Sequence, residues 1–147
     1  MATTPQYAPA IARVLLGLVF LVMGLNGFLN FLPQPATIPA GAMAFSIALA
    51  NTGYMVPLIF GTQVAAGVLL LVNRFVPLAL AVLGPVLVHI IAYHLFLAPT
   101  MIAPALVVLV LELYLAWAYR DVFRPMLAMR AAPRRSVGAE RRAVPQP

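Results

Sequence analysis

The sequence contains neither cysteine nor lysine, and only three of its 147 residues are acidic. Without cysteine the chain cannot form disulfides, thiolate metal sites or iron-sulfur clusters, and it cannot perform thiol redox chemistry. Charged residues make up 8% of the chain and hydrophobic residues 64%, whereas a soluble domain has roughly 25% charged residues. These values predict an integral membrane protein, in which any redox role requires a bound molecule or partner.

The positive charge is concentrated at the C-terminal end. All nine basic residues are arginine, and seven of them lie within residues 120–142. The net charge of +6 therefore belongs to a tail and does not indicate nucleic-acid binding. Residues 130–147 are rich in Arg, Ala and Pro and have too little apolar material to fold alone, so they predict a flexible basic tail. Two roles remain open for it, namely contact with anionic lipid and docking onto a larger membrane protein complex.

Four apolar runs are long enough to cross the roughly 30 Å hydrocarbon core of a bilayer. They cover residues 11–31, 55–72, 75–97 and 101–119. The short breaks between the last three runs favour antiparallel neighbours. A signal peptide cleaved near residues 40–42 is the alternative for the first run, which however exceeds a typical signal-peptide apolar region and contains Asn26 and Asn30.

The segment between the first two runs, residues 32–54, begins with a proline-rich loop. Residues 40–50 then predict a weakly amphipathic helix that is too short to span the membrane and should lie in the interface. The predicted fold is thus an all-α membrane domain over residues 11–129, preceded by an N-terminal arm of residues 1–10. It is a four-transmembrane-helix antiparallel bundle with an interfacial helix between helices 1 and 2.

The arginine distribution predicts the orientation in the membrane. If both termini are cytoplasmic, then Arg13, Arg74 and the basic tail all lie inside, and the outer loops carry no arginine. Aromatic residues then fall near both interfaces, as transmembrane helices commonly show. We therefore expect a multi-pass membrane protein with cytoplasmic N- and C-termini.

Each predicted span carries one polar residue in its outer half. Counting about 1.5 Å per residue from the outer helix ends, Asn26 lies ~7 Å deep, Gln63 and His89 ~12 Å, and Glu112 ~16 Å. One interpretation is a hydrogen-bonded network that fixes helix register. The other is a pocket for the polar head of an amphiphilic molecule such as a quinone, with these four residues as ligand-binding candidates. Glu112 should be neutral or paired, which suits either a proton relay or a structural role.

The two histidines do not form a metal-binding pair. His89 and His94 are five residues apart, so they point about 140° away from each other around an ideal helix and cannot hold one ion on one face. We expect His89 to face the bundle interior and His94 to lie nearer the outer surface. A bis-histidine haem site is also excluded, because no other helix carries a histidine. The sequence thus predicts no metal site.

Several stretches in fixed order resemble the DoxX family of small bacterial membrane proteins. They are "GLNGF" at Gly24, "GVLLL" at Gly67, "RFVPL" at Arg74 and "HLFL" at His94, and the resemblance covers about residues 12–127. It implies a four-helix bundle and an association with quinone-linked redox membrane complexes. Two positions depart from the family, since Gln63 stands where many relatives carry Glu and His89 where many carry Asn.

Together, these features predict a DoxX-like membrane protein that binds a hydrophobic small molecule, with a quinone as the candidate cofactor, as an accessory component of a redox system. It is expected to lie in the bacterial inner (plasma) membrane and to be non-catalytic on its own. The alternative is a purely structural subunit of a larger membrane complex. A small-solute transporter is disfavoured, because there are only four spans and no inverted repeat.

Overall fold

The computed structural model describes residues 7–127, and this part of the chain is helical with no β-strand. Five longer helices follow one another along the chain, and a short one precedes a final 3-10 turn at Arg124–Leu127. They are α1 (Tyr7–Leu29), α2 (Ala40–Asn51), α3 (Met55–Leu71), α4 (Val76–Phe96), α5 (Ile102–Ala118) and α6 (Arg120–Phe123). The basic tail of residues 130–147 and most of the N-terminal arm lie outside the described residues.

Three helical segments are long and apolar enough to cross a membrane, namely α1, α4 and Pro99–Ala118, which contains α5. The pair α2 and α3 also passes this test when taken together, but the two helices meet at an angle of 93°. The structure therefore has three to four candidate transmembrane segments, which indicates a membrane protein.

The helix boundaries lie close to those predicted from the apolar runs. The first helix begins at Tyr7, four residues before the predicted start, so it extends into the N-terminal arm. It ends at Leu29 because Asn30 adopts a left-handed φ of 47°, which most residues disfavour. Pro85 lies inside α4, which continues through it. After Ala118 the described chain continues as the single turn of α6 and the following 3-10 turn.

Glycines bring α1 and α3 into close contact. A Cβ added at Gly24 would lie 2.9 Å from the backbone nitrogen of Val64, and one added at Gly67 would lie 2.7 Å from that of Leu21. Gly17 faces Leu70 and Leu71 near the end of α3, whereas Gly27 faces Phe60 near its start, so the two helices run antiparallel. Gly17 and Gly24 thus face α3, whereas Gly61 does not face α1, because an added Cβ there meets no atom within 4 Å.

Arg13 adds a polar contact to the same helix pair. Its guanidinium donates to the backbone carbonyl of Leu70 and, at 3.4 Å, to that of Leu71. The last carbonyls of a helix have no partner within the helix and carry the negative end of its dipole. The arginine on α1 therefore supplies hydrogen bonds to the last carbonyl oxygens of α3, and its positive charge offsets the negative end of the helix dipole.

The hydrophobic core lies in the half of the molecule where α1 and α4 begin and α3 and α5 end. Its buried residues include Leu16, Leu70, Leu80 and Leu115. Around this cluster, α1 contacts α3 and α5, and α4 contacts the same two helices. The opposite half, towards the end of α1 and the start of α3, is less tightly filled and holds two cavities.

Candidate ligand-binding cavities

Two neighbouring cavities occupy the loosely filled half of the molecule. The first has a volume of about 360 Å³ and lies beneath α2 and the proline-rich loop before it, against α3 and α4. The second has a volume of about 350 Å³ and extends between α1 and α5. The two cavities share six of their lining residues, namely Met23, Phe60, Gln63, Ile90, His94 and Met101. They are therefore two compartments of one region, and each falls within the size range of small-molecule sites.

The polar groups of this region come mainly from α3 and α4, while Gln34 of the loop and Ser46 of α2 also line the first cavity. Gln63 is only 5% exposed and lines both cavities, and His89 and Tyr93 line the first. Burial of an amide in an apolar surrounding is costly unless it is hydrogen-bonded. Most of the other lining residues are apolar, so these few side chains would define where the polar end of a ligand lies.

His94 lies on the inner side of α4 and lines both cavities. Its Nδ1 lies 2.8 Å from the backbone carbonyl oxygen of Ile90. A carbonyl oxygen only accepts hydrogen bonds, so Nδ1 carries the proton, and in the neutral ring Nε2 is left as an acceptor. His94 lies in the last turn of α4, and it is half-buried there because α2 and the loop before it cover this end of the helix.

An aromatic cluster closes the first cavity on the side of α2. The ring of Phe45 on α2 lies 5.6 Å from that of His89 and 5.9 Å from that of Tyr93. The rings of Tyr93 and His94 are 5.3 Å apart in an edge-to-face arrangement. Such ring contacts contribute roughly 0.5–1.5 kcal/mol beyond the area they bury. The short helix α2 therefore serves as a cover that is held by the same residues that line the cavity.

Asn26 has a different role at the end of α1. Its Oδ1 accepts a hydrogen bond of 2.8 Å from the backbone N-H of Leu32, and its backbone carbonyl accepts one from Asn30. The side chain thus satisfies a backbone group in the turn after the helix. It lines neither cavity, and its position in the structure is that of a turn-stabilising residue.

Glu112 lies apart from the two cavities, in a third concave region. This groove between α4 and α5 has a volume of about 610 Å³ and is lined almost entirely by apolar side chains. Glu112 is only 5% exposed, and its Oε2 has no hydrogen-bond partner within residues 7–127. The groove opens on the outer side of the helices, because Val88 and Leu113 on its rim are 71% and 60% exposed.

Of the four predicted ligand-binding residues, the structure brings two together. Gln63 and His89 line the first cavity, whereas Asn26 and Glu112 lie elsewhere. Sequence reasoning did not include Phe45, Tyr93 and His94 among the candidates. Tyr93 was detectable, because it shares a helix face with His89 at i, i+4 spacing. Phe45 was not, because nothing in the sequence indicates which way the short helix α2 turns.

Metal binding has no support in the described part of the chain, since residues 7–127 contain no group of three His, Asp or Glu side chains able to hold an ion. Comparison with family models, with curated proteins and with solved structures yields no match to this chain. A proposal for its function therefore rests on the cavities and their side chains.

Proposed function

We propose that the protein binds an amphiphilic small molecule of the quinone class and serves as an accessory component of a membrane redox system. The observation that carries this proposal is the convergence of Gln63, His89 and His94 on adjoining, largely apolar cavities. Amphiphile sites typically combine an apolar wall with a few polar groups of this kind. We further propose that the chain is a member of the DoxX family, and the association of that family with quinone-linked complexes supports the same assignment.

The two compartments suit the two ends of such a ligand. Quinone carbonyls accept hydrogen bonds, and the Gln63 amide, a ring nitrogen of His89 and the Tyr93 hydroxyl are able to donate them. After reduction the ring carries hydroxyl groups, for which Nε2 of His94 is an acceptor. The apolar tail would extend through the second cavity between α1 and α5, which is lined by residues such as Val19 and Val108.

The proposed setting is the bacterial inner membrane, with a bundle of four antiparallel helices formed by α1, α3, α4 and α5. Three observations support this arrangement, namely the antiparallel glycine contacts of α1 and α3, the shared core at one end, and the turn of 93° between α2 and α3. That turn would leave α2 lying along the outer interface. The arginine count favours cytoplasmic termini.

Binding of a short-tailed quinone to the purified protein tests the proposal. We expect saturable binding of a decyl-tailed benzoquinone to the protein in detergent, with about one molecule per chain. The Gln63→Leu variant should bind more weakly by about threefold to tenfold, since one net hydrogen bond is worth roughly 0.5–1.5 kcal/mol. Val110→Leu is the matched control, because Val110 is 65% exposed and lines neither cavity. Absence of saturable binding would refute the quinone assignment, and equal binding by both variants would remove Gln63 from the site.

A purely structural role in a larger complex is the second candidate. The groove between α4 and α5 favours it, because a buried carboxyl oxygen without a partner lies in a surface that faces outwards. Purification with a fixed partner and without any ultraviolet quinone absorption would support this role over the first. The basic tail is the other element proposed to make such a contact.

A further inference from the structure

The groove between α4 and α5 has properties that the proposed quinone site does not explain. It shares no lining residue with either cavity, and it contains Glu112, the one buried acidic residue of the described chain. Intramembrane carboxyl groups are costly unless they face a partner. Glu112 lines the groove with a carboxyl oxygen that has no partner within residues 7–127, so an occupant that supplies a hydrogen-bond donor would satisfy it.

The spacing of the lining residues matches a helix-packing seam. On α4 the interval between successive lining residues alternates between three and four positions in the series Ala81, Gly84, Val88, Ile91 and Leu95. On the other wall, Leu109, Ala116 and Phe123 are seven residues apart. Repeats of this kind place side chains along the line where one helix packs against another. Within residues 7–127 no third helix occupies this line, because the groove is open.

The length and depth of the groove also fit a helix. From Leu80 to Phe96 the groove follows α4 for about 24 Å at 1.5 Å per residue, which is most of the hydrocarbon thickness. At Gly84 an added Cβ would meet no atom within 4 Å, so a neighbouring backbone is able to approach closely there. Small residues at such positions are typical of helix contacts in membranes.

We infer that the α4–α5 groove binds a transmembrane helix of another protein, and that this helix carries a hydrogen-bond donor such as Asn, Ser or Lys at the depth of Glu112. The donor pairs with the Glu112 carboxyl group, and the apolar face of the helix fills the seam on either side. The inference depends on the membrane placement but not on quinone binding, because the two sites share no residue.

Disulfide crosslinking to designed helices tests the inference, and the natural absence of cysteine makes single-cysteine variants simple to obtain. Val88→Cys places the thiol on the groove rim, and Val110→Cys is the matched control. Val88 and Val110 are 71% and 65% exposed, and both lie about 12 Å from the outer ends of their helices, but only Val88 lines the groove. The probes are two synthetic leucine-alanine transmembrane helices with one cysteine at that depth, of which only one carries a central Asn.

In phosphatidylcholine vesicles, the Asn helix should crosslink to Val88→Cys about three to ten times more than the helix without Asn, as expected for one intramembrane hydrogen bond. Adding Glu112→Leu should remove this difference. Adding Gly84→Leu should abolish the crosslink by filling the groove, whereas Gly61→Leu, at a glycine with equally open surroundings outside the groove, should leave it unchanged.

Three results would overturn the inference. Equal crosslinking of the two helices, or of the two cysteine positions, would show that the groove does not select a donor-bearing helix. Protein-protein disulfides at Val88→Cys that persist on dilution with lipid would assign the groove to a second copy of the chain. Loss of the crosslink on addition of hexadecylamine at a low ratio to lipid would assign it to an amphiphile. Quinone binding is measured separately, so failure here leaves that proposal unaffected.

Discussion

The ring of Phe45 on α2 lies 5.6 Å from the imidazole of His89 on α4. Through this contact a helix too short to span the membrane is joined to a residue inside a cavity. Since Phe45 also touches Tyr93, one side chain holds the cover of the cavity against two residues of its wall. The position of α2 and the shape of the cavity are therefore linked.

Replacing Phe45 by alanine should loosen α2 without unfolding the protein. The two ring contacts together are worth about 1.4 kcal/mol or more, so backbone amides of Ala40–Asn51 should exchange hydrogen about tenfold faster. Met43→Ala is the control, because Met43 is 43% exposed and lines neither cavity. Unchanged exchange in the Phe45 variant would mean that α2 is held by other contacts.

Replacing His89 by leucine should weaken quinone binding more than it weakens folding. The lost hydrogen bond to the ligand predicts a rise in Kd of up to about tenfold, whereas a structural bond in a membrane bundle averages only ~0.6 kcal/mol. Binding of the decyl-tailed benzoquinone and unfolding in a denaturing detergent measure the two effects. A folded variant that keeps full binding would remove His89 from the site.

Replacing Gly24 by alanine should destabilise the α1–α3 pair, because the new Cβ would meet the backbone of Val64 at 2.9 Å. Overpacking of this kind costs about 1–3 kcal/mol in the free energy of unfolding. The same change at Gly61, where the added Cβ has open space, should be neutral or stabilise the helix by up to about 1 kcal/mol. Equal effects at the two glycines would contradict the packing described for α1 and α3.

Replacing Arg13 by methionine should lower the free energy of unfolding by about 1–2 kcal/mol, because the carbonyls of Leu70 and Leu71 lose a charged donor. Arg74→Met is the matched control. Arg74 is exposed in the turn after α3, so its substitution should change stability by less than about 0.5 kcal/mol. The comparison separates the contact made by Arg13 from a general effect of positive charge.

The predicted orientation is open to a reporter test. A fluorescent protein that folds only in the cytoplasm should be bright when fused after Pro147, and a phosphatase active only in the periplasm should be inactive there. The same phosphatase inserted at Gln34, in the loop between α1 and α2, should be active. The opposite pattern would reverse the proposed topology.

The sequence predicted the helices well because their signal is local. Apolar runs bounded by Pro, Gly, Asn and Arg specify where each helix begins and ends, within a few residues. The close contact at Gly67 is not apparent from the sequence, because the two glycines of α3 are equivalent as sequence and only the rotation of the helix decides which one faces α1. Gly67 packs against α1, whereas Gly61 faces away.

The polar residues illustrate the same limit. Depth along each helix is countable from the sequence, and it placed Asn26, Gln63, His89 and Glu112 in one outer band. The side of the helix on which each residue lies depends on how the helices pack, and the sequence does not give it. In the structure Asn26 stabilises a turn, Gln63 and His89 line a cavity, and Glu112 lines the outer groove. Residues at one depth are therefore not necessarily residues of one site.

The contacts of α1 also bear on the order in which the protein is assembled. Its two neighbours are α3 and α5, and neither α2 nor α4 is among its main contacts. During synthesis α1 consequently leaves the ribosome well before either partner. The glycine-lined face of α1 can pack only after α3 has been synthesised, and its other face only after α5 has been synthesised. The contact between α1 and α5 is therefore the last of these to form. A chain that ends before residue 102 would lack one wall of the second cavity.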